Sequence, residues 1–502
     1  MENINEVLQL FLATENFIAI AVGVLVGVVV GSIPGLTATM AVALALPFTF
    51  SMEPVAAILL LVGIYKGGMY GGSITAILIR TPGSPASACT LLDGYPMAQQ
   101  GKAKKALQMA LYSSVIADFI SNIALIFFAA YLAKIALNFG APEFFWLICF
   151  SLTIIISLAS GSMIKGLIAA LLGILLSLVG LDSVFGSQRL TFGNYNLMDS
   201  ISFIPLLIGL FAIPEIIEFY RKKIVPHIRA KASGAGVSLA EMKRSLTSIV
   251  RGSLIGVIIG AIPGTGATAA AFISYSDAKR RSPHSERFGK GEVEGVAASE
   301  AGNNGVAGAT LIPLLSLGIP GDVITAIILG AFMVHGLTPG PILFQENLPL
   351  IYALFLGIML SSVILLFVGS AAIRYFSLIA DIPKSILFPI VLMFCVYGSY
   401  AVNNDTFDVW LMLAFGVMGY LFNRTGIPAA PFLIGFILGP MFEDNLRRSL
   451  LIGSNDLSIF VRGPITWFFI ALTVGSILLA LYRFISARHK AKQAANEPEA
   501  NA

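Results

Sequence analysis

Residues 249–277 form an apolar stretch caught between two basic loops, and its centre reads GAIPGTGATAAAF at 260–272. Lys and Arg in short loops mark the cytoplasmic side of a membrane protein. One straight helix through this stretch would strand one basic loop on the far side. A hairpin that dips into the bilayer and returns keeps both loops on one side. Each arm would hold about 12 residues, or about 18 Å of helix, which reaches roughly the middle of a ~30 Å hydrocarbon core. Residues 15–50 carry a similar break, SIPGLTATM at 32–40, but neither flank is basic. By the same rule that hairpin enters from outside.

Composition places these hairpins in lipid. Of 502 residues, 57% are hydrophobic and 12% charged, where globular chains carry about 45–50% and about 25%. With a mean hydropathy of +0.87 the chain cannot cover a soluble surface with polar groups. A net charge of +4, carried by a few short loops, leaves no broad basic face for nucleic acid. Cys89, Cys149 and Cys395 have no metal or disulfide spacing, and His227, His284, His335 and His489 are too scattered for zinc. The first residues include acids but no Lys or Arg, so no cleaved signal peptide is expected.

Apolar stretches are expected at about 15–50, 55–80, 106–138, 142–159, 163–182, 199–220, 249–277, 302–336, 348–376, 385–403, 407–423, 427–441 and 463–483. The polar tail from Ser486 is expected to be disordered. Lys102, Lys104 and Lys105, the loop from Arg221 to Arg244, the loop from Lys279 to Lys290, and the C-terminal Arg483, Arg488, Lys490 and Lys492 are placed in the cytoplasm. Loops 338–347 and 403–405 are placed outside. Arg447, Arg448 and Arg462 then also fall outside, against the rule.

The chain repeats itself. GVLVGVVVGSIPGLTATMA (23–41) aligns with GSLIGVIIGAIPGTGATAA (252–270), Pro82-Gly83 with Pro320-Gly321, and PLLIGLFAIP (205–214) with PFLIGFILGP (431–440). These matches keep their order, and about five spans separate the hairpins. The halves therefore start from opposite faces, as inverted repeats do in secondary transporters. The expected fold is an all-α polytopic membrane protein of two inverted repeats. Each is a re-entrant helical hairpin plus about five transmembrane helices, with broken helices at the midplane. The repeats cover 1–230 and 231–460, and 461–502 adds a C-terminal span and polar tail.

Breaks at such depth free backbone groups that only protein or water can satisfy. The half-helix after a break presents N–H groups and a positive dipole end, which suit an anion. Carbonyls of the half-helix before it suit a cation. Small hydroxyls gather there: Thr37 and Thr39, Thr265 and Thr268, and Thr81, Ser84 and Ser87. Lys66 and Arg80 lie in the first broken segment; each would pair with a carboxylate or snorkel to an interface. The GxxxG runs at Gly23, Gly27, Gly252 and Gly256 serve helix packing or the site equally well. Asp322 is placed to cap the half-helix after Pro320-Gly321, and Asn303 and Asn304 offer side-chain oxygens to a cation. Asp118, Lys134, Lys165 and Asp381 read as span ends or internal pairs.

At GSIPGLTATMAVALALPFTF (31–50), YGGSITAILIRTPGSPAS (70–87), DGYP (93–96), GAIPGTGATAAAFISY (260–275), GVAASEAGNN (295–304), LIPLLSLGIPG (311–321) and HGLTPGP (335–341), the sequence resembles the large membrane subunit of the tripartite tricarboxylate transporters, the TctA family. The resemblance implies uptake of di- or tricarboxylates such as citrate, driven by a sodium or proton gradient, with no other cofactor. It implies a small four-span membrane subunit and a periplasmic solute-binding protein as partners, in the bacterial inner membrane. A homodimer is compatible with it. Carried over residue by residue, the family's candidate site falls on Gly35, Thr37, Thr39, Gly83, Gly264, Thr268, Asn303, Asn304 and Gly321; joined with the residues read above, the expected substrate site takes in Gly35, Thr37, Thr39, Lys66, Arg80, Thr81, Gly83, Ser84, Gly264, Thr265, Gly266, Thr268, Gly321 and Asp322. The ion site takes in Asn303, Asn304, Thr39 and Thr268. Arg80 stands where the family more usually has Asn, and Ser299 and Gly302 where it has Pro and Ala; an extra cation at 80 bears on substrate charge.

Other readings are an ion-coupled transporter of another organic anion, an intramembrane enzyme and a passive channel. No HExxH, GxSxG or Cys/His pairing supports an enzyme. Two capped hairpins speak against a continuous pore.

Overall fold

The computed structural model describes residues 2–158, 162–182, 185–221, 234–380 and 384–496. His227, Lys222, Lys223, Arg229, Lys231 and Asp381 lie outside the described residues. The architecture is almost wholly helical. Helices α1 (Glu2–Leu12), α2 (Thr14–Gly31), α3 (Ala38–Ala45), α4 (Pro54–Ile79), α5 (Ser87–Gln99) and α6 (Ala103–Ala136) come first, then α7 (Ala141–Leu158) and α8 (Met163–Ser177). A short antiparallel pair, β1 (Gly180–Leu181) with β2 (Gln188–Arg189), precedes α9 (Phe203–Arg221). The second half runs α10 (Leu239–Gly260), α11 (Gly266–Arg281), α12 (Val293–Ala309), α13 (Leu311–Leu317), α14 (Val323–Val334), α15 (Pro341–Glu346), α16 (Leu348–Ala380), α17 (Lys384–Tyr400), α18 (Thr406–Thr425), α19 (Ala429–Ile452) and α20 (Pro464–Asn496).

Six described helices are long and apolar enough to cross a bilayer: Thr14–Gly31, Pro54–Ile79, Ala103–Ala136, Leu348–Tyr375, Thr406–Thr425 and Pro464–Tyr482. Three expectations need correction. The hairpin arms are unequal: α2 has 18 residues and α3 only 8 before a 3-10 turn, while α10 has 22 and α11 has 16. The capping box of Ser238 and Glu241 starts α10 well before the apolar run. The stretch expected at 302–336 begins at Val293 and is divided among three helices, α12 to α14. The tail from Ser486 is helical to Asn496, as the end of α20.

Two compact units form, and neither follows one half of the chain. The first draws on Met1–Leu137 and Ser202–Leu421, the second on Asn138–Ile201 and Phe422–Ala502.

In the first unit, glycines let helix backbones touch. A Cβ on Gly23, Gly27 or Gly31 would meet the carbonyl oxygens of Leu60, Ile64 and Gly68 on α4. Gly252, Gly256 and Gly260 approach Ala298, Gly302 and Val306 on α12 in the same way. The α12 residues stand 238 positions after the α4 residues. Without a hydrophobic drive between helices in lipid, such close approach supplies the packing energy. The return arms cross over: α3 packs against α14, and α11 against α5.

The basic loops expected to share a face meet in this unit. Lys105 lies 2.6 Å from Glu241, Gln100 donates to the Lys290 carbonyl at 2.8 Å, and Arg244 lies 2.6 Å from Glu292. Partial burial works to raise the Glu241 carboxyl, but hydrogen bonds from Lys105 and Ser238 outweigh it and hold it at about 2.

In the second unit α8 packs on α19, with Gly173 against the Phe432 backbone and Gly435 against that of Ala170. Arg189 and Arg447 bind Asp182 and Glu443 together, and Arg462 lies 2.8 Å from Asp456. These pairs give Arg447 and Arg462, which ran against the charge rule, local carboxylate partners.

Gly27→Leu forces a side chain into the Ile64 carbonyl and is expected to destabilise the fold by at least ~1–3 kcal/mol. Gly475→Leu is the control, since a Cβ there meets nothing within 4 Å. Thermal melting of both variants in detergent checks this: the Gly27 variant should melt well below wild type and the Gly475 variant beside it.

Candidate functional site

Both expected breaks exist. The first lies between Gly31 and Ala38, with Gly35 at φ 93°; the second lies between Gly260 and Gly266, with Gly264 at φ 79°. Pro34 and Pro263 therefore sit outside continuous helix. Their nearby hydroxyls differ in use. Thr37 accepts the Met40 N–H at 3.2 Å and caps α3. The Thr265 hydroxyl bonds the carbonyls of Ile259 (2.5 Å) and Ile262 (2.9 Å), closing the end of α10. Gly35 and Thr268 are exposed and Thr39 is half-buried.

The two Pro-Gly breaks repeat one geometry. Arg80 ends α4 in the left-handed region at φ 57°, and Gly318 ends α13 at φ 73°. Thr81 N–H donates to the Thr75 carbonyl (3.3 Å), and Ile319 N–H to the Pro313 carbonyl (3.2 Å). Gly83 presses on Gly72 and Gly321 on Thr310.

Each hairpin tip docks on the break of its own half. A Cβ on Gly83 would lie 2.8 Å from the Gly31 carbonyl oxygen. Gly264 N–H donates to the Gly321 carbonyl at 2.7 Å. Past the first break Ser84 and Ser87 bond each other's hydroxyl and backbone groups. Past the second, Asp322 caps α14 in a capping box with Thr325 and accepts the Tyr65 hydroxyl at 2.7 Å. Asp322 thus places its own negative charge on that helix end. Arg80 is exposed, its guanidinium 5.7 Å from the Tyr95 ring centre.

Lys66 is placed differently. It is 1% exposed, and its ammonium lies 3.0 Å from each of Asp118 Oδ2, Asn122 Oδ1 and the Ile358 carbonyl. Its three donors are spent internally, which leaves none for a guest in this conformation. Asp118 also accepts from Ser362 at 2.6 Å.

Asn303 and Asn304 are each 1% exposed on α12. The Asn304 amide donates to Ser114 (2.8 Å) and Glu300 (3.2 Å), whereas both polar atoms of the Asn303 amide are buried without a partner. Among the described residues no hydrogen bond joins Thr39 or Thr268 to either asparagine.

Two acidic residues escaped the sequence reading. Asp93, of the DGYP stretch, has no exposed surface. Its Oδ1 accepts the N–H groups of Gly289, Gly291 and Glu292 at 2.8 Å each, and its Oδ2 accepts the Tyr275 hydroxyl at 2.8 Å. Glu300, of GVAASEAGNN, is also fully buried, and accepts from Ser73 (2.6 Å), Ser114 (2.9 Å), Thr90 and Asn304. The missed signal was an acid in a run of small and apolar residues.

The model of the tripartite tricarboxylate transporter TctA family matches residues 17–434. An uncharacterised 52.8 kDa protein of Agrobacterium vitis, from the TAR-I ttuC' 3' region, is 38% identical over 474 residues, 94% of this chain and 94% of that protein. A second uncharacterised protein of that organism, from the TAR-II ttuC' 3' region, is 36% identical over 233 residues, 46% of this chain and 96% of that protein. No solved structure matches.

The Lys66–Asp118 pair makes a double-mutant prediction. Lys66→Met alone should cost about 3–5 kcal/mol, because it leaves a buried carboxylate uncompensated, while adding Asp118→Leu should recover much of the loss. Melting curves of the two single variants and the double check it; additive losses would exclude a direct pair.

Proposed function

The chain belongs to the TctA family of tripartite tricarboxylate transporters, and from that premise we propose that it is the large membrane subunit of a binding-protein-dependent secondary transporter for citrate-like di- or tricarboxylates. The observation that carries this reading is the pair of interrupted hairpins, each docked on its own Pro-Gly break. Helix ends and N–H groups at such breaks complement carboxylates. Thr39 and Thr268 supply hydroxyls beside the tips, and Arg80 supplies an exposed cation. With Lys66 turned inward and Asp322 already on one helix end, the guest is assigned to Gly35, Thr39, Arg80, Gly83, Ser84, Gly264, Gly266 and Thr268.

Contacts recurring at a spacing of 238 residues support descent from one duplicated unit, and the crossed packing of the return arms suits an inverted pair. Both hairpins and both breaks belong to one compact unit. This favours alternating access in which that unit moves as a body, an elevator motion. A sodium or proton gradient drives uptake. The partners are a small four-span subunit and a periplasmic binding protein, in the bacterial inner membrane with the C-terminus cytoplasmic; a homodimer fits the same scheme.

Uptake of labelled organic acids into proteoliposomes, with the partner proteins and with or without a sodium gradient, tests the reading. Thr39→Ala with Thr268→Ala should weaken substrate uptake by about 10–100-fold for each hydroxyl that bonds a charged guest, a contact worth about 1.5–3 kcal/mol. Wild-type uptake and ion dependence in that variant would sink the tip site. Arg80→Asn should shift preference between dicarboxylates and tricarboxylates; an unchanged preference removes Arg80 from substrate contact.

A further inference from the structure

Glu300 is a carboxylate on α12 with no exposed surface and, among the described residues, no basic side chain within ion-pair reach. Lys66, on the same helix as Ser73, is bound to Asp118. All four groups that bond Glu300 are neutral: the hydroxyls of Ser73, Thr90 and Ser114 and the amide of Asn304. Ser299 lies 3.2 Å from Thr90 and adds another hydroxyl oxygen. A carboxylate in such a place is expensive unless something positive joins it.

We propose that Glu300, Ser73, Thr90, Ser114, Asn303 and Asn304 form the site of the coupling cation, a sodium ion. This rests on the reading of the chain as an ion-coupled transporter. The donor set fits in three respects. It carries one negative charge, which one monovalent cation neutralises and a divalent one overfills. It consists of hard oxygens; the nearby Cys89 thiol is directed at the Ala271 carbonyl, 3.5 Å away. Its hydroxyls both donate and accept, so those that now donate to Glu300 can turn lone pairs to a cation.

Asn303 is the independent sign. An amide buried with both polar atoms unpartnered carries a desolvation cost that a ligand would relieve. It stands one turn along α12 from Glu300 and supplies a further oxygen. The oxygens come from α4, α5, α6 and α12. Of these, α4 ends at the first Pro-Gly break, α5 follows it, and α12 supports the second hairpin. A cation here would fix together the helices that carry the substrate breaks, which is what coupling requires.

The test uses the purified full-length chain in detergent, without substrate or partner proteins. Binding of radioactive sodium and the melting temperature are measured against potassium and choline at equal ionic strength, over a series of pH values. The expected result is saturable sodium binding with sodium-specific stabilisation. Glu300→Gln should weaken it by about tenfold or more, and Asn303→Ala or Ser114→Ala should weaken it measurably. If Glu300→Gln does not fold, Ser73→Ala with Thr90→Val decides by the same readout. The proposal is overturned if wild type shows no sodium-specific response, if the variants bind sodium as wild type does, or if stabilisation follows pH alone, which would make Glu300 a proton site. Failure here leaves the carboxylate reading standing, whereas absent uptake with an intact sodium response condemns that reading alone.

Discussion

Backbone groups released inside a membrane have no water to turn to, and that constraint organises this protein. Each hairpin tip and each Pro-Gly break opens a helix, and each tip packs against the break of its own half. The Gly264 N–H reaching the Gly321 carbonyl is the clearest instance, with Gly31 against Gly83 as its counterpart. Small residues are required on both sides, because a side chain would hold the two openings apart. The glycine stripes of α2 and α10 bring the segments to that distance. Beside these openings Gly35, Arg80 and Thr268 stay exposed.

Charge inside the unit follows a second rule: Lys66, Asp93 and Glu300, all buried, are each held by several partners. Lys66 is cancelled by Asp118. Asp93 is held by three backbone N–H groups and a tyrosine hydroxyl, so it ties α5 to the segment entering α12. Glu300 is held by neutral side chains, with no backbone N–H among its donors. The first two arrangements secure packing, and the third leaves a negative charge for something mobile to answer.

Much of the helical plan was legible because apolar runs and loop charges report directly on a bilayer. The helix ends at the IPG tips were legible because proline removes a donor and glycine permits left-handed backbone. The lengths of the hairpin arms were not, since polar first turns such as 239–248 carry no hydropathy signal yet form helix from a capping box. Nor was the polar tail, whose helix continues from an apolar span. At the site, Arg80 and the tip hydroxyls could be picked out by position. The inward turn of Lys66 could not, because its partner Asp118 stands 52 residues away on another helix. Asn303 and Asn304 were read as a matched pair, but only the Asn304 amide bonds Glu300, while that of Asn303 is left without a partner.

Arg80 and Gly318 fill equivalent slots, both with left-handed backbone at the end of a helix. The glycine adopts it freely; an L-residue there gives up roughly 1–2 kcal/mol. The first half of the molecule therefore keeps its guanidinium against the preference of its own main chain. Two bends of one shape thus differ in what they spend: one is a hinge of pure geometry, and the other gives up conformational comfort to hold a cation. A chain with glycine at both places would be sturdier there, and would present no charge at that bend.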